Sequence, residues 1–333
     1  MSQKIKDTDF LYLTSMLRAR EAKMLSADRQ SRLLDAPDYD ETAKLVSESG
    51  YPDMSGMTPE EIDSALSDFR TGIFRELEKN SFCTRLLDIF RIKYDYHNVK
   101  VLVKAMAANS EGDHLLSGSG RIPIPKLTEA FITGERRDIP EGMKDAISHA
   151  VGILSRTSDP QLSDIDIDRH YYAELTELAG KIGLDFVSGY ISLLIDSANL
   201  RTVVRTLRMK KDSGFLQKAL FAGGTVRPDR LLTVSPTGEE LGELFGPGVL
   251  EKAAELGRDS LTGSSLTLFE QACDNAIIRY LEAAKLVSFG AQPVVAHLAA
   301  VEAEIMSIRM ILTGKLCGIS PEVIRERLRI SYV

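Results

Sequence analysis

Three short stretches of this chain, set at intervals of about a hundred residues, repeat one order: acid, two residues, a small polar residue, an apolar residue, a base. They are Asp95-Tyr96-His97-Asn98-Val99-Lys100, Asp196-Ser197-Ala198-Asn199-Leu200-Arg201 and, more faintly, Glu304-Ile305-Met306-Ser307-Ile308-Arg309. Downstream of each, a glycine is followed closely by a proline: Gly120 to Pro123, Gly224 to Pro228, and Gly318 to Pro321. An element recurring at domain length implies one folding unit copied twice. A chain of 333 residues has room for two or three domains of about 100 to 150 residues. The expected units are therefore 1–117, 118–222 and 223–333.

Almost every long segment carries the 3.6-residue period of an amphipathic helix. In the first, Phe10, Leu13, Leu17 and Ala22 to Leu25 form an apolar stripe, with Arg18, Arg20 and Lys23 on the other face. Asp38-Tyr39-Asp40-Glu41 opens a second helix with Asp38 as cap, and Thr58-Pro59-Glu60-Glu61 opens a third with Thr58 as cap and proline at the first turn. Two long helices broken near Asn80 follow, then a Gly/Ser/Pro-rich linker from Glu111 to Pro125. A helix from Gly142 to Leu154, a loop at Thr157 to Asp164, and helices at Tyr171 to Lys181 and Val187 to Lys211 complete the middle unit. Alternating strand patterns between turn pairs are essentially missing, so the fold class expected is all-α, built as three similar helical lobes.

On a helix Asp95 and Asn98 share a face, as do Asp196 and Asn199, whereas Asp196 and Arg201 are five apart and poorly matched. Interleaved Val99, Leu102, Leu200, Val203 and Val204 say that these helices are largely buried. A buried acid is costly unless paired, and such pairs can fix one packing arrangement. The expected role of Asp95, Asn98, Lys100, Asp196, Asn199, Arg201, Glu304 and Arg309 is thus a structural latch bridging to another helix or to backbone. The sharper reading, three equivalent ligand or catalytic sites, is disfavoured by drift in the third copy, where Ser307 replaces asparagine.

Other chemistry is sparse. The glycine loops Gly118-Ser119-Gly120-Arg121 and Gly223-Gly224-Thr225 lack the P-loop lysine and follow no strand. Asp164-Ile165-Asp166-Ile167-Asp168 resembles a calcium loop, but Arg169 stands at the required glycine and Leu175 at the closing glutamate, which favours an aspartate-rich helix start. His97, His114, His149, His170 and His297 show no histidine pair at i, i+4, so no zinc site is expected. No metal, cofactor or catalytic residue is assigned. Cys83, Cys273 and Cys317 have no C-x-x-C spacing and read as core thiols of a reducing compartment.

Apolar residues at 44% and charged residues at 27% allow a packed core and exclude wholesale disorder. A net charge of −7 argues against nucleic acid and for protein partners. The apolar stretch Pro293 to Val301, interrupted by His297, falls short of the roughly 18 to 20 residues a membrane span needs. The start Met1-Ser2-Gln3-Lys4 lacks an apolar signal region, so a cytoplasmic location is expected.

Tyr12 with Arg18-Ala19-Arg20, Leu33-Leu34, Gly50-Tyr51, Lys93-Tyr94-Asp95-Tyr96-His97-Asn98-Val99-Lys100, Ile195-Asp196-Ser197-Ala198-Asn199-Leu200-Arg201, Glu302-Ala303-Glu304-Ile305 and Ile324-Arg325-Glu326-Arg327-Leu328 stand in a telling order. In that order and spacing the chain resembles the C subunit of bacterial and archaeal V-type (A/V-type) ATP synthases, a relative of the eukaryotic d subunit. The resemblance implies a non-catalytic, three-lobed helical funnel peripheral to the membrane. It implies as partners the D and F subunits of the central shaft, the membrane proteolipid ring and the stator membrane subunit, and passage of torque between ATP hydrolysis and ion translocation. It implies no cofactor. Two readings stay open beside it: a helical-repeat scaffold of another assembly, and a metal-dependent enzyme using Asp164, Asp166 and Asp168. The helix after Pro321 has no further unit to enter, so residues 321–333 are expected to pack near the first lobe.

Overall fold

The structure, a computed structural model, describes residues 6–79, 84–110 and 112–333. The expected break near Asn80, the thiol of Cys83, the start of the linker at Glu111 and Met1 to Ile5 lie outside the described residues. The described residues form sixteen α-helices and no strand, so the protein is all-α.

They are α1 (Leu11–Glu21), α2 (Ala27–Asp35), α3 (Tyr39–Glu48), α4 (Pro59–Glu78), α5 (Thr84–Ala108), α6 (Ile124–Thr133), α7 (Glu141–Thr157) and α8 (Pro160–Ile182). Then come α9 (Asp185–Arg208), α10 (Ser213–Ala219), α11 (Pro228–Leu231), α12 (Leu241–Phe245), α13 (Glu251–Leu261), α14 (Leu266–Leu281), α15 (Ala291–Leu316) and α16 (Pro321–Arg325).

Local chemistry sets several starts. The Asp38 carboxylate accepts the Glu41 amide at 2.9 Å ahead of α3. At α4 the box is reciprocal: Thr58 Oγ1 accepts from the Glu61 amide at 3.3 Å and Glu61 Oε2 from the Thr58 amide at 2.8 Å. Two boundaries differ from expectation. The first helix ends at Glu21 rather than reaching Leu25, because Lys23 and Met24 tighten into a turn and the Leu25 amide is drawn to a distant carboxylate. The loop expected at Thr157 to Asp164 is much shorter: Asp159 caps α8 through the amides of Gln161 and Leu162, and Pro160 takes its first position. Asp164, Asp166 and Asp168 therefore lie inside α8 and not at its start.

The helices gather into two compact units, with boundaries inside α4 and α9. One comprises Ile73–Ile191 and Phe221–Gly223. In it α5, α7 and α8 pack mutually, burying Leu87, Phe90 and Val99 of α5, Ala146, Ile147 and Ala150 of α7, and Ile167 and Leu175 of α8.

The other comprises Met1–Gly72, Ser192–Leu220 and Gly224–Val333. Its longest helix, α15, buries Val294, Leu298, Ile308, Ile311 and Leu312, and α1 and α3 pack against it. A further cluster joins Leu200, Val203 and Val204 of α9 to Ala254 of α13 and Phe269 and Cys273 of α14. Gly257 permits this approach, since a Cβ there would lie 3.0 Å from Val204 and 3.1 Å from Phe269. Near the end of the chain α16 packs on α2, Arg325 pairs with Asp35 at 2.9 Å, and Lys315 donates to the carbonyls of Leu34 and Ala36.

Candidate functional site

The apolar run of α5 carries Asp95 into complete burial, where water cannot solvate it. Protein donors take over. Asp95 Oδ1 accepts from the amides of Arg121 and Ile122 at 2.8 and 3.0 Å, and Oδ2 from Arg121 Nε at 2.6 Å. Arg121 Nη1 continues to Glu174 at 2.8 Å, whose other oxygen accepts the Tyr96 hydroxyl at 2.8 Å. Burial pushes the Asp95 carboxyl above its ordinary pKa, against the pull of Arg121. One turn on, Asn98 exchanges two hydrogen bonds with the backbone of Ser117, at 2.9 and 2.8 Å. Lys100 reaches Asp168 of α8 at 2.6 Å.

Asp196 of α9 repeats the arrangement. Its Oδ2 accepts from the Thr225 amide at 2.9 Å and the Thr225 hydroxyl at 2.5 Å, and its Oδ1 from the Val226 amide at 3.2 Å. Asn199 is fully buried. Arg201 pairs with Asp274 of α14, which also receives Arg329 at 2.6 Å. Burial works most strongly against the Arg201 charge, but Asp274 together with Cys273 and Glu270 more than offsets it and the guanidinium pKa is raised.

The glycine before each donor pair has a steric reason. A Cβ built on Gly120 would collide with Asp95 Oδ1, and one on Gly224 with Asp196 Oδ1. Only glycine lets the loop backbone close over the carboxylate with its amides pointing inward.

The third copy is answered from elsewhere. Glu304 of α15 accepts from the Leu25 amide at 2.7 Å and from the Tyr51 hydroxyl at 2.7 Å, while Gly318 has no heavy atom within 4 Å of its would-be Cβ. Burial raises the Glu304 pKa despite both donors, and raises that of Tyr51 well above its usual value. Ser307 turns back to the Ala303 carbonyl at 3.1 Å, and Arg309 pairs with Asp63 of α4 at 2.5 Å on an exposed face. On the same helix His297 is nearly fully buried, 4.0 Å from Glu21, and loss of solvation pushes its pKa down to about 4. Sequence reasoning missed Leu25 and Tyr51 as partners; the pair Gly50-Tyr51 stands out in the sequence without revealing this role.

The three aspartates of α8 do not converge. Asp164 pairs with Lys104 and Asp168 with Lys100, both at 2.6 Å, on the face turned to α5. Asp166, two residues from each, faces α7, because residues at i and i+2 point to different sides of a helix. There it meets His170, one turn along α8, and His149 of α7 at 3.7 and 3.8 Å. Desolvation holds the His170 pKa below its ordinary value. The dispersed sequence positions of the histidines hid this cluster.

Among the described residues no helix is long and apolar enough to cross a membrane. The family model described as the ATP synthase (C/AC39) subunit matches residues 13–327. The chain belongs to that family. Similar curated proteins include the C subunit of the V-type sodium ATPase of Enterococcus hirae, 24% identical over 96% of this chain and 98% of that protein. The C subunits of the A-type ATP synthases of Thermococcus onnurineus and Methanocaldococcus jannaschii are 25% and 23% identical over 96% of this chain, covering 90% and 86% of their own lengths. In this member of the C/AC39 family, the matched span takes in Asp95, Asp196 and Glu304 together with their donors.

Proposed function

We propose that this C/AC39 family member is a non-catalytic central-stalk component of a rotary V/A-type ATPase. It couples the rotor shaft, made of the D and F subunits, to the membrane proteolipid ring during ATP-linked proton or sodium transport. The observation that carries this reading is the family match over residues 13–327, with relatives named as C subunits of such complexes along nearly their whole length. The protein is peripheral, held at the membrane through the complex, with the stator membrane subunit as a further neighbour.

The geometry supports a mechanical task. Asp95, Asp196 and Glu304 are buried and answered by donors from the chain itself, which suits groups employed in fixing helices. On this reading each is the latch of one helical lobe, with Asn98, Lys100, Asn199, Arg201 and Arg309 tying the same helices to their neighbours. The lobes are the three copies set out by the sequence repeat. The Leu25 donor to Glu304 and the Arg325–Asp35 pair tie the last copy to the N-terminal segment. A part that passes torque needs low internal compliance, and close-packed helices supply it. A metal enzyme built on Asp164, Asp166 and Asp168 is not favoured, because two of the three are committed to lysines.

The test is affinity purification of a tagged copy from its native host. Shaft subunits and ring proteolipid are expected to copurify; recovery of neither would overturn the proposal.

A further inference from the structure

Two imidazoles and one carboxylate from α7 and α8 converge away from the repeated carboxylates. Asp166 and His170 sit one turn apart on α8, and His149 faces them from α7. The distances are 3.4 Å from His149 Nδ1 to His170 Nε2, 3.8 Å from His149 Nδ1 to Asp166 Oδ2, and 3.7 Å from His170 Nε2 to the same oxygen.

These edges carry information about what the site can hold. A triangle with such sides has a circumscribed radius of about 2.1 Å, which is the Zn–N and Zn–O bond length. Tetrahedral ligands at that length are about 3.4 Å apart, so one edge already fits and two must contract by a few tenths of an ångström. The His149 side chain is 61% exposed and free to make that adjustment. An octahedral magnesium would need edges of about 3.0 Å, and hard cations favour all-oxygen ligands.

A second observation points the same way. Asp166 Oδ2 is buried and has no hydrogen-bond partner, although its sister oxygen accepts from Arg169 at 2.9 Å. A buried carboxylate oxygen aimed between two imidazole nitrogens, all beyond good hydrogen-bond length, is an acceptor left unmet. The Arg169 bond fixes the carboxylate's orientation, as the outer partners of metal ligands do. Asp145, one turn before His149 on α7, adds a favourable negative charge near His170.

We propose that His149, Asp166 and His170 form a binding site for a borderline divalent transition cation of the zinc type, with the fourth position open to water. The site clips α7 to α8, helices that already pack together.

The experiment uses the full-length purified protein, stripped with chelator and titrated calorimetrically with Zn2+, with Mg2+ in parallel. Cobalt is the second probe, because tetrahedral Co2+ with nitrogen and oxygen ligands absorbs strongly in the visible. One Zn2+ per chain, no Mg2+ heat and a tetrahedral cobalt spectrum are expected. His149→Ala, at an exposed position where circular dichroism is expected to show an intact fold, should weaken Zn2+ binding at least roughly tenfold and remove the cobalt band. Asp166→Asn should do the same. Absence of Zn2+ binding would overturn the proposal, as would binding unchanged in both variants, which would assign the ion to other side chains such as Cys317, which is exposed and not the core thiol expected from the sequence, unlike the buried Cys273.

Discussion

Asp95 and Asp196 occupy matching cradles in different compact units, yet they are answered by different chemistry. Both accept two successive backbone amides from a loop opened by glycine. The residue after that glycine is Arg121 in one copy and Thr225 in the other, so one carboxylate gains a cation and its neighbour Glu174, while the other gains a hydroxyl. The backbone donors are the common denominator, and the side-chain donor is the variable part. Residues facing a repeated carboxylate can therefore drift while the glycine and the amides stay put.

The sharpest way to break this comparison is to close the cradle. Gly224→Ala and Gly120→Ala each drive a methyl group into the carboxylate oxygen, and should cost roughly 3 kcal/mol through overpacking and displaced buried hydrogen bonds. Thermal melting of the purified variants measures this, and a loss near zero for either would mean that the loop relaxes and that the glycine is not required.

Asp95→Asn should cost about 2 kcal/mol in the same measurement. Its carbonyl oxygen still serves the two amides, but its amide nitrogen then faces Arg121 Nε, donor against donor. Thr225→Ala removes only the neutral side-chain donor and should cost about 1 kcal/mol. Equal losses for these two would erase the distinction between a charged and a neutral cradle.

The smallest effect is expected for Glu304→Gln, below about 1 kcal/mol at neutral pH, because the new amide can donate to the Tyr51 oxygen while its carbonyl keeps the Leu25 amide. Its signature is in the pH dependence. The folded pKa of Glu304 is raised, so its contribution is fully present below the ordinary carboxylate pKa and lost as pH rises through the folded value. The variant should thus compare best with the parent at neutral pH and fall behind as pH drops, in melts taken across that window. His297 works in the opposite sense, its contribution being present above about 6.5 and lost as pH falls towards about 4, which is why variant and parent must be compared at each pH. A difference independent of pH would refute the burial-driven shift of Glu304.

Much of this was legible in the residues. The caps at Asp38 and Thr58 announce themselves because capping depends on a few neighbouring side chains. Burial of the repeated acids follows from the apolar residues around them, and Gly120 and Gly224 are visible as part of the repeat, though not as the floor of a carboxylate cradle. Leu25 is hidden because a backbone amide has no sequence signature, and Tyr51 because it lies 253 residues from its acceptor. Asp166 groups with Asp164 and Asp168 by proximity along the chain, but helical geometry turns it to the opposite side, where His149 arrives from another helix. The apolar stripe overstates the length of α1 for a related reason: the helix closes in a local turn at Lys23 and Met24, and the Leu25 amide beyond it is given to residue 304.

The bond between Leu25 and Glu304 spans 279 positions. On the ribosome, the segment that turns after α1 must wait for nearly the whole chain before its amide finds an acceptor, whereas the Asp95 cradle is complete 27 residues after its acid emerges. Contacts of such different separation carry different loop-closure delays. The order of synthesis thus favours early settling of the middle of the molecule, with the beginning and end of the chain committing together and last.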